Sequence, residues 1–394
     1  MKYALHRSTR RFHPLPLLAL LALGACAPTQ PQSTASTSTA SANEIRIAVA
    51  GPMTGDLGVY GAQMREGAKL AVADINAAGG VLGKPLRLIV QDDECASSRA
   101  TSVARNIVSQ NVVAMIGHFC SGVSIPASAV YAESGVLQIT PSSSNPNLTE
   151  QAFHRGWKTV FRSYVRDDHL GFAAASYLAE HYAKGRIALL QDDSNYASTI
   201  ERPLLRGLVA YGIEPVFQDR IDAGHSSYQD TIDELIKARP DAVFYMGYYP
   251  EAALLIKEAR ASGLQAAFLG SDSLMTTDFA ESAGSAAEGV MFIANQGARA
   301  VPEGAALLAR LRAQNTDADP TGEDYAVFTY AAFQEFALAA QRAGTTEAGA
   351  VARALRSGSF DTVMGTVAFD EKGDLRDERF SWYRFRAGNY ELVP

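Results

Sequence analysis

The stretch IGHFCSGVS (residues 116–124) sets a histidine, a thiol and a hydroxyl, His118, Cys120 and Ser121, within four positions. Those residue types can form a nucleophile with its general base, or half a metal site. The rest of the chain supports neither. Nucleophile and base usually lie far apart in sequence and meet in the fold, so adjacency adds little. No GxSxG, Walker A, HExxH or CxxC motif occurs. The acidic run Asp92, Asp93 and Glu94 follows a strand-like segment, where acids commonly cap the next helix. GPMTGDLGVYG (51–61) is a glycine-rich turn of the kind that cradles phosphate, yet its glycines run GxxGxxG and not GxGxxG. It reads as a helix N-terminus whose free N–H groups face a cleft and help hold an anionic group such as a carboxylate. No catalysis, cofactor or metal is expected.

The elements that must position these loops alternate along the chain. IRIAVA (45–50), LRLIV (86–90), VVAMIG (112–117) and VLQIT (136–140) are short apolar runs. Between them lie helical patterns: one marked by Met64, Ala68, Ala71, Val72 and Ile75, one over 97–109 and one over 122–134. Continuous apolar strands in such an alternation predict a parallel sheet with helices on both faces. The alternation restarts at RIALLQ (186–191), followed by a helix at 197–210, a strand near 214–218 and a helix at 228–238. AVFYMG (242–247), a helix at 251–262 and AAFLG (266–270) continue it. LRLIVQDDE and RIALLQDDS echo each other, which suggests two lobes of related topology. Helices near 303–314, 323–342 and 346–357 follow, and FSWYRF and NYELV close the chain as strands. Two doubly wound lobes place a ligand at their C-terminal strand ends, in the cleft between them.

The N-terminus sets the compartment. A basic segment (Lys2, Arg7, Arg10, Arg11) precedes the apolar run LPLLALLALGA and then Cys26, so residues 1–25 read as a signal peptide. LGAC resembles a bacterial lipobox, in which Cys26 is lipidated; ordinary cleavage that discards Cys26 is the other reading. Residues 26–43 are nearly all Ser, Thr, Ala, Pro and Gln and form a tether of about 20–25 Å. Loss of residues 1–25 moves the net charge from −7 to −11, and no basic run follows, which excludes a nucleic-acid partner. No later segment approaches 18 apolar residues. Among the three cysteines, Cys95 and Cys120 then remain. Both follow consecutive strands, expected to be neighbours, and in an oxidising compartment they are expected to pair. Such a bridge is worth roughly 3–4 kcal/mol, with free thiols as the alternative.

Five segments carry a resemblance: AVADINAAGG (71–80), DDECASSRA (92–100), IGHFCSG with IPAS and ITP (116–141), GYYPE (247–251) and DTVMGTVAFDEKGDLR (361–376). Over about residues 44–385 the chain resembles the leucine/isoleucine/valine-binding proteins of ABC transporters, the type I periplasmic binding proteins. The resemblance implies an α/β fold of two doubly wound parallel-sheet lobes joined by three crossovers. Lobe 1 would take 45–165 and 296–375, and lobe 2 would take 166–295 and 376–394. It implies a monomeric, extracytoplasmic receptor, lipid-anchored on the periplasmic side, that delivers an amino acid to an ABC permease in the inner membrane.

The resemblance also assigns a site. Donors for a ligand carboxylate fall on Ser121, on Ser142, Ser143 and Ser144, and on the backbone near Phe119 and Cys120. Lobe 2 would supply Tyr196, Tyr248 and Asp272, and Tyr60 and Tyr325 would line the side-chain pocket. At the place of Asp272 the family's amino-acid binders typically carry glutamate, so the carboxylate here is one methylene shorter. The same clamp could take a short amide, urea or a carboxylic acid, or serve as a ligand-sensing co-receptor.

Overall fold

The computed structural model describes residues 44–314 and 324–393. The expected signal peptide, the tether and Cys26 lie outside the described residues. The first sheet holds β1 (Ile45–Gly51), β2 (Leu86–Asp92), β3 (Ala114–Gly117), β4 (Leu137–Thr140) and β5 (Val160–Arg162). All run parallel in the order β2-β1-β3-β4-β5. β3 and β4 are buried along their whole length, as unbroken apolar runs require. The connecting helices are α1 (Gly58–Ala77), α2 (Ala100–Ser109), α3 (Ser121–Glu133) and α4 (Asn147–Arg155).

The second sheet contains β6 (Ile187–Gln191), β7 (Phe217–Arg220), β8 (Ala242–Met246), β9 (Ala267–Gly270) and β10 (Met291–Asn295). Its helices are α5 (Asp167–Tyr182), α6 (Ala197–Ala210), α7 (Gln229–Ala238), α8 (Tyr249–Ala261) and α9 (Thr277–Ala283). The chain then returns to the first lobe as α10 (Pro302–Gln314), α11 (Asp324–Ala343) and α12 (Ala348–Ser357), and α11 packs along α1. A hairpin of β11 (Ser359–Thr362) and β12 (Gly365–Ala368) follows. β13 (Phe380–Arg386) and β14 (Asn389–Leu392) finally join the second sheet beside β10, antiparallel. The parallel part of that sheet runs β7-β6-β8-β9-β10, the same order as the first sheet. The lobes therefore share a topology. The Gln-Asp-Asp echo does not mark it, because it pairs β2 with β6, whereas β6 is the counterpart of β1.

Several elements depart from the sequence expectation for physical reasons. β5 is three residues long and ends in Arg162, so it carries no apolar signal. β7 lies at the sheet edge, largely exposed, and sits at 217–220 and not at 214–218. α5 and β10 were not anticipated; α5 has small residues in place of a sharp apolar stripe. The glycine-rich turn before α1 is a structural clasp. Met53 N and Thr54 Oγ1 donate to the two oxygens of Asp92, at 2.9 and 2.5 Å. Gly61 lies so close to the Pro52 carbonyl that a Cβ has no room.

The chain crosses between lobes three times, after β5, after β10 and before β13. Arg162, fully buried, ties the first and third crossings together. Its Nε and Nη2 donate to Asp374 Oδ1 at 2.9 and 2.6 Å, while Nη1 donates to the carbonyls of Asn145 and Ser143 at 2.7 and 3.3 Å. Arg166 Nη1 reaches Asp374 Oδ2 at 2.6 Å. Burial would raise the Asp374 carboxyl, but the Arg162 and Arg166 guanidiniums hold it below the usual range.

A second carboxyl on this side behaves oppositely. Glu335 of α11 is fully buried, accepts from the Ser163 hydroxyl, and its Oε2 has no hydrogen-bond partner. Burial, opposed by Ser163, pushes its pKa up to about 8. The folded state therefore holds a proton that the unfolded chain releases near 4.3. Stability from this group is complete below about pH 4.3 and is lost as pH rises to about 8. Glu335→Gln is expected to remove that slope, raising stability at pH 8 by about 3–5 kcal/mol relative to the parent. Urea midpoints at pH 5 and pH 8 measure it. Equal pH slopes in the two proteins would refute the buried-proton account.

Candidate functional site

At the end of β3 the chain passes through Phe119 and Cys120 into α3, whose first residue is Ser121. Buried His118 holds this course. Its Nδ1 meets Asp93 Oδ2 at 2.6 Å, and its Nε2 meets the Tyr131 hydroxyl at 2.9 Å. Nδ1–H donates to the Asp93 carboxylate, and Nε2 shares a hydrogen bond with the Tyr131 hydroxyl. Asp93 also accepts from Cys95 N at 2.8 Å, beside the Cys95–Cys120 disulfide, whose Cα atoms are 5.5 Å apart. The pairing does not arise from neighbouring strands, because β1 lies between β2 and β3. The loop after β2 instead folds over the end of β1. Asp93 N donates to Gly51 O at 3.1 Å, and Glu94 and Cys95 turn through the left-handed region, with φ 53° and 55°.

Removing the bridge by Cys95→Ser with Cys120→Ser is expected to cost about 3–4 kcal/mol of stability in urea unfolding. A loss under about 1 kcal/mol would mean that the His118, Asp93 and Tyr131 bonds alone hold this loop.

The loop after β4 is laid against the same segment. Ser142 Oγ donates to Phe119 O at 3.2 Å, and Ser143 Oγ to the carbonyls of Phe119 and His118 at 2.8 and 3.0 Å. Ser121 Oγ accepts from Asn145 N at 3.2 Å. In the second lobe, buried Asp192 organises two tyrosines. It accepts from Ser194 N and Oγ at the start of the Tyr196 turn, at 3.0 and 2.5 Å, and from Tyr248 N at 2.7 Å. Gly247, at φ 150°, lets the backbone pass over that carboxylate, where a Cβ would fall 2.5 Å from its atoms. Tyr196 OH donates to Asp272 Oδ1, and Tyr325 OH donates to Asp272 O at 3.2 Å.

Phe119, Ser121, Ser142, Ser144 and Tyr325 from one lobe face Tyr196, Tyr248, Asp272 and Ser273 from the other around one cavity. Its free space is about 10 Å³, on the order of a single water. Three expected residues stand just behind this lining. Tyr60 stacks on Phe119 with centroids 4.3 Å apart and donates to Ser273 O. Ser143 has turned its hydroxyl onto backbone carbonyls, and Cys120 is in the disulfide. The lobes also touch at the rim, where Asn145 Nδ2 donates to Asn195 O at 2.9 Å and Tyr249 OH to Asp56 O at 3.0 Å.

Burial raises the Asp272 carboxyl, and the phenols of Tyr196 and Tyr164 oppose that rise. Burial also lifts the phenols of Tyr164, Tyr196, Tyr248 and Tyr325 well above 10, so each remains a donor.

Two residues beside the site escaped the sequence reading, and both come from the first crossing. Tyr164 is fully buried against Tyr325, and Asp167 is buried at the start of α5. Asp167 accepts from Thr199 Oγ1 at 2.7 Å through Oδ2, while its Oδ1 has no hydrogen-bond partner. Burial and the Asp272 charge push its carboxyl up to about 8. Its only sequence signal, an acid pair opening a helix, reads as an ordinary complement to the helix dipole. Tyr164 had none.

A sequence profile described as "Periplasmic binding protein" matches residues 44–384. The chain is 34% identical over 346 residues to a Leu/Ile/Val-binding protein homolog 1 of Brucella suis, covering 88% of this chain and 91% of that protein. It is 35% identical to the leucine-, isoleucine-, valine-, threonine-, and alanine-binding protein of Pseudomonas aeruginosa, covering 87% of this chain and 90% of that one. Among solved structures, the branched-chain amino acid transporter substrate binding protein LivJ of Streptococcus pneumoniae, in complex with isoleucine, superposes with a TM-score of 0.80. That match has 26% identity and covers 89% of this chain and 99% of that one. The two like-ordered sheets, the three crossings and the cleft they enclose thus match in sequence and in fold, and the chain belongs to the periplasmic binding protein family.

Proposed function

We propose that this protein is an extracytoplasmic receptor that closes on a free aliphatic α-amino acid and delivers it to an ABC permease. The observation that carries the reading is Asp272, a buried carboxyl that faces serine hydroxyls across the cleft and is hydrogen-bonded by the phenols of Tyr196 and Tyr164 and by its own backbone N–H. Among the described residues no Lys, Arg or His pairs with it. A ligand ammonium would complete that pairing. The ligand carboxylate would accept from the Ser121 hydroxyl and the free N–H groups opening α3, where the helix dipole favours an anion. Ser144 can donate to the carboxylate or accept from the ammonium. Tyr196 and Tyr248 would close over the pair from the second lobe, and the aromatic side chains of Phe119, backed by Tyr60, and of Tyr325 would face the ligand's side chain.

The rim bonds and the Tyr60–Ser273 bond join opposite lobes, so they break when the cleft opens to admit ligand. A ligand that binds the closed form better shifts the population toward it, and the closed surface is what a permease would read. Lipidation of Cys26 would keep this exchange at the membrane. An anionic ligand lacking an ammonium would meet the Asp272 carboxylate with nothing to offset it, which disfavours a simple carboxylic acid. Calorimetry with a panel of amino acids tests the reading, with binding expected well below ~1 mM. Recovery of the ligand chemically unchanged is expected as well. If no amino acid binds in that range, or if the ligand is turned over, the receptor reading is wrong.

A further inference from the structure

Of the three consecutive serines after β4, Ser142 and Ser143 turn their hydroxyls onto main-chain carbonyls of the loop after β3. Ser144 lines the cleft cavity, and among the described residues its hydroxyl makes no such bond. Asp167 stands beside it, and the Asp167 N–H donates to Ser144 O at 3.0 Å. The Asp167 side chain is fully buried where the first crossing enters α5. Thr199 of α6 occupies its Oδ2 at 2.7 Å, and its Oδ1 has no hydrogen-bond partner. An uncommitted hydroxyl in the cavity wall therefore neighbours an uncommitted carboxyl oxygen. A hydrogen bond between them removes the cost of leaving that oxygen buried and unmet.

A serine hydroxyl has one proton to give and two lone pairs to offer. Once Ser144 gives its proton to Asp167, only lone pairs are left for the ligand, and these suit an ammonium and not a carboxylate. We propose that Asp167 is a positioning residue: its carboxylate accepts the Ser144 O–H and so commits the Ser144 oxygen, together with Asp272, to the ligand ammonium. The inference rests on the amino-acid reading of the same cleft and assigns the end of the ligand that Ser144 meets.

Binding then moves a proton. The groups facing the Asp167 carboxyl are Asp272 from the loop after β9, Arg162 from β5, and the phenols of Tyr196 and Tyr248. At the start of its own helix, Arg166 and Asp168 pair with each other. Without ligand, burial first and the Asp272 charge second push the Asp167 carboxyl up to about 8, so it carries a proton at pH 7. A ligand ammonium beside Asp272 offsets that charge and adds its own attraction, and both favour the carboxylate. Asp167 gives its proton to solvent, and the Ser144 O–H becomes its donor. The phenols, lifted well above 10 by burial, keep their protons throughout.

The test is calorimetry at pH 7 in phosphate and in Tris, whose heats of ionisation differ widely, with alanine, valine and leucine as probes. The dependence of the heat on buffer counts the protons released. The parent is expected to release about half a proton or more per amino acid bound, and its affinity should rise from pH 6 to pH 8. Asp167→Asn is expected to weaken binding about 10-fold and to remove both the release and the pH dependence. Ser144→Ala should weaken binding to a similar degree and lower the release. Asp167→Asn should add little on that background, because it acts through Ser144. A merely structural role for Asp167 would give additive losses and an unchanged proton count, and either result would overturn the inference. Should Asp167→Asn fail to fold, the parent and Ser144→Ala decide: no release by the parent, or equal release by the two, overturns it. Absence of binding by every amino acid would instead overturn the amino-acid reading, and the role of Asp167 with it.

Discussion

Asp272→Asn is expected to weaken amino-acid binding by roughly 30-fold to more than 1,000-fold while leaving the ligand-free protein at least as stable as the parent. The two halves of this result have one cause. With ligand bound, the substitution leaves an ammonium buried without its counter-charge, which costs about 2–5 kcal/mol, and each 1.4 kcal/mol is a factor of ten in Kd. Without ligand, the carboxyl is fully buried and its pKa is raised by that burial, so a neutral amide in its place relieves the fold of a desolvation penalty. A substitution that merely damaged the cleft would lower both quantities together. Calorimetry and urea unfolding on the same preparation separate the outcomes. Asp272→Glu serves as the control and is expected to retain binding, since it keeps the charge. If Asp272→Asn binds an amino acid as the parent does, the ammonium is not held there.

The second large effect belongs to Asp374. Replacing it with alanine should lower stability by about 3–5 kcal/mol, because it leaves two buried guanidiniums without their shared carboxylate. Arg162 is wholly buried and Arg166 nearly so, and both donate to Asp374 at 2.6 Å. Affinity should fall too. Arg162 holds the carbonyls of Ser143 and Asn145, so its displacement loosens the loop that presents Ser144 to the cleft. A nearby exposed pair supplies the comparison. Asp377 and Arg379 also meet at 2.6 Å, but their side chains are 71% and 64% exposed, and Asp377→Ala should change stability by no more than about 1 kcal/mol. Similar urea midpoints for the two variants would show that the crossing is not braced by this network.

The amino-acid sequence reached the α/β class directly, since strands such as AVFYM and helices such as α2 each carry their own periodicity. It reached the cleft less directly, through a family resemblance. Of the residues so assigned, Phe119, Ser121, Ser142, Ser144, Tyr196, Tyr248, Asp272 and Tyr325 surround one cavity, while Tyr60, Ser143 and Cys120 stand behind it. His118 had no derivable role from sequence. Its partners Asp93 and Tyr131 lie 25 and 13 residues away, and nothing local marks them as partners.

By itself, then, the chain determined its class, its two-lobed order and the loops that end its strands, because these follow from which neighbouring residues are apolar. Only the tertiary structure decided that β1 separates the cysteine-bearing strands, that Arg162 could be buried at all, and that Tyr164 is buried against Tyr325. Arg162 is tolerable inside only because Asp374, 212 residues onward, is there to meet it. Tyr164 stands beside the site only because α11 brings Tyr325 across from 161 residues away. Burial of charge and the shape of a cavity are properties of contacts between distant segments, and no local periodicity encodes a contact that the fold has yet to make.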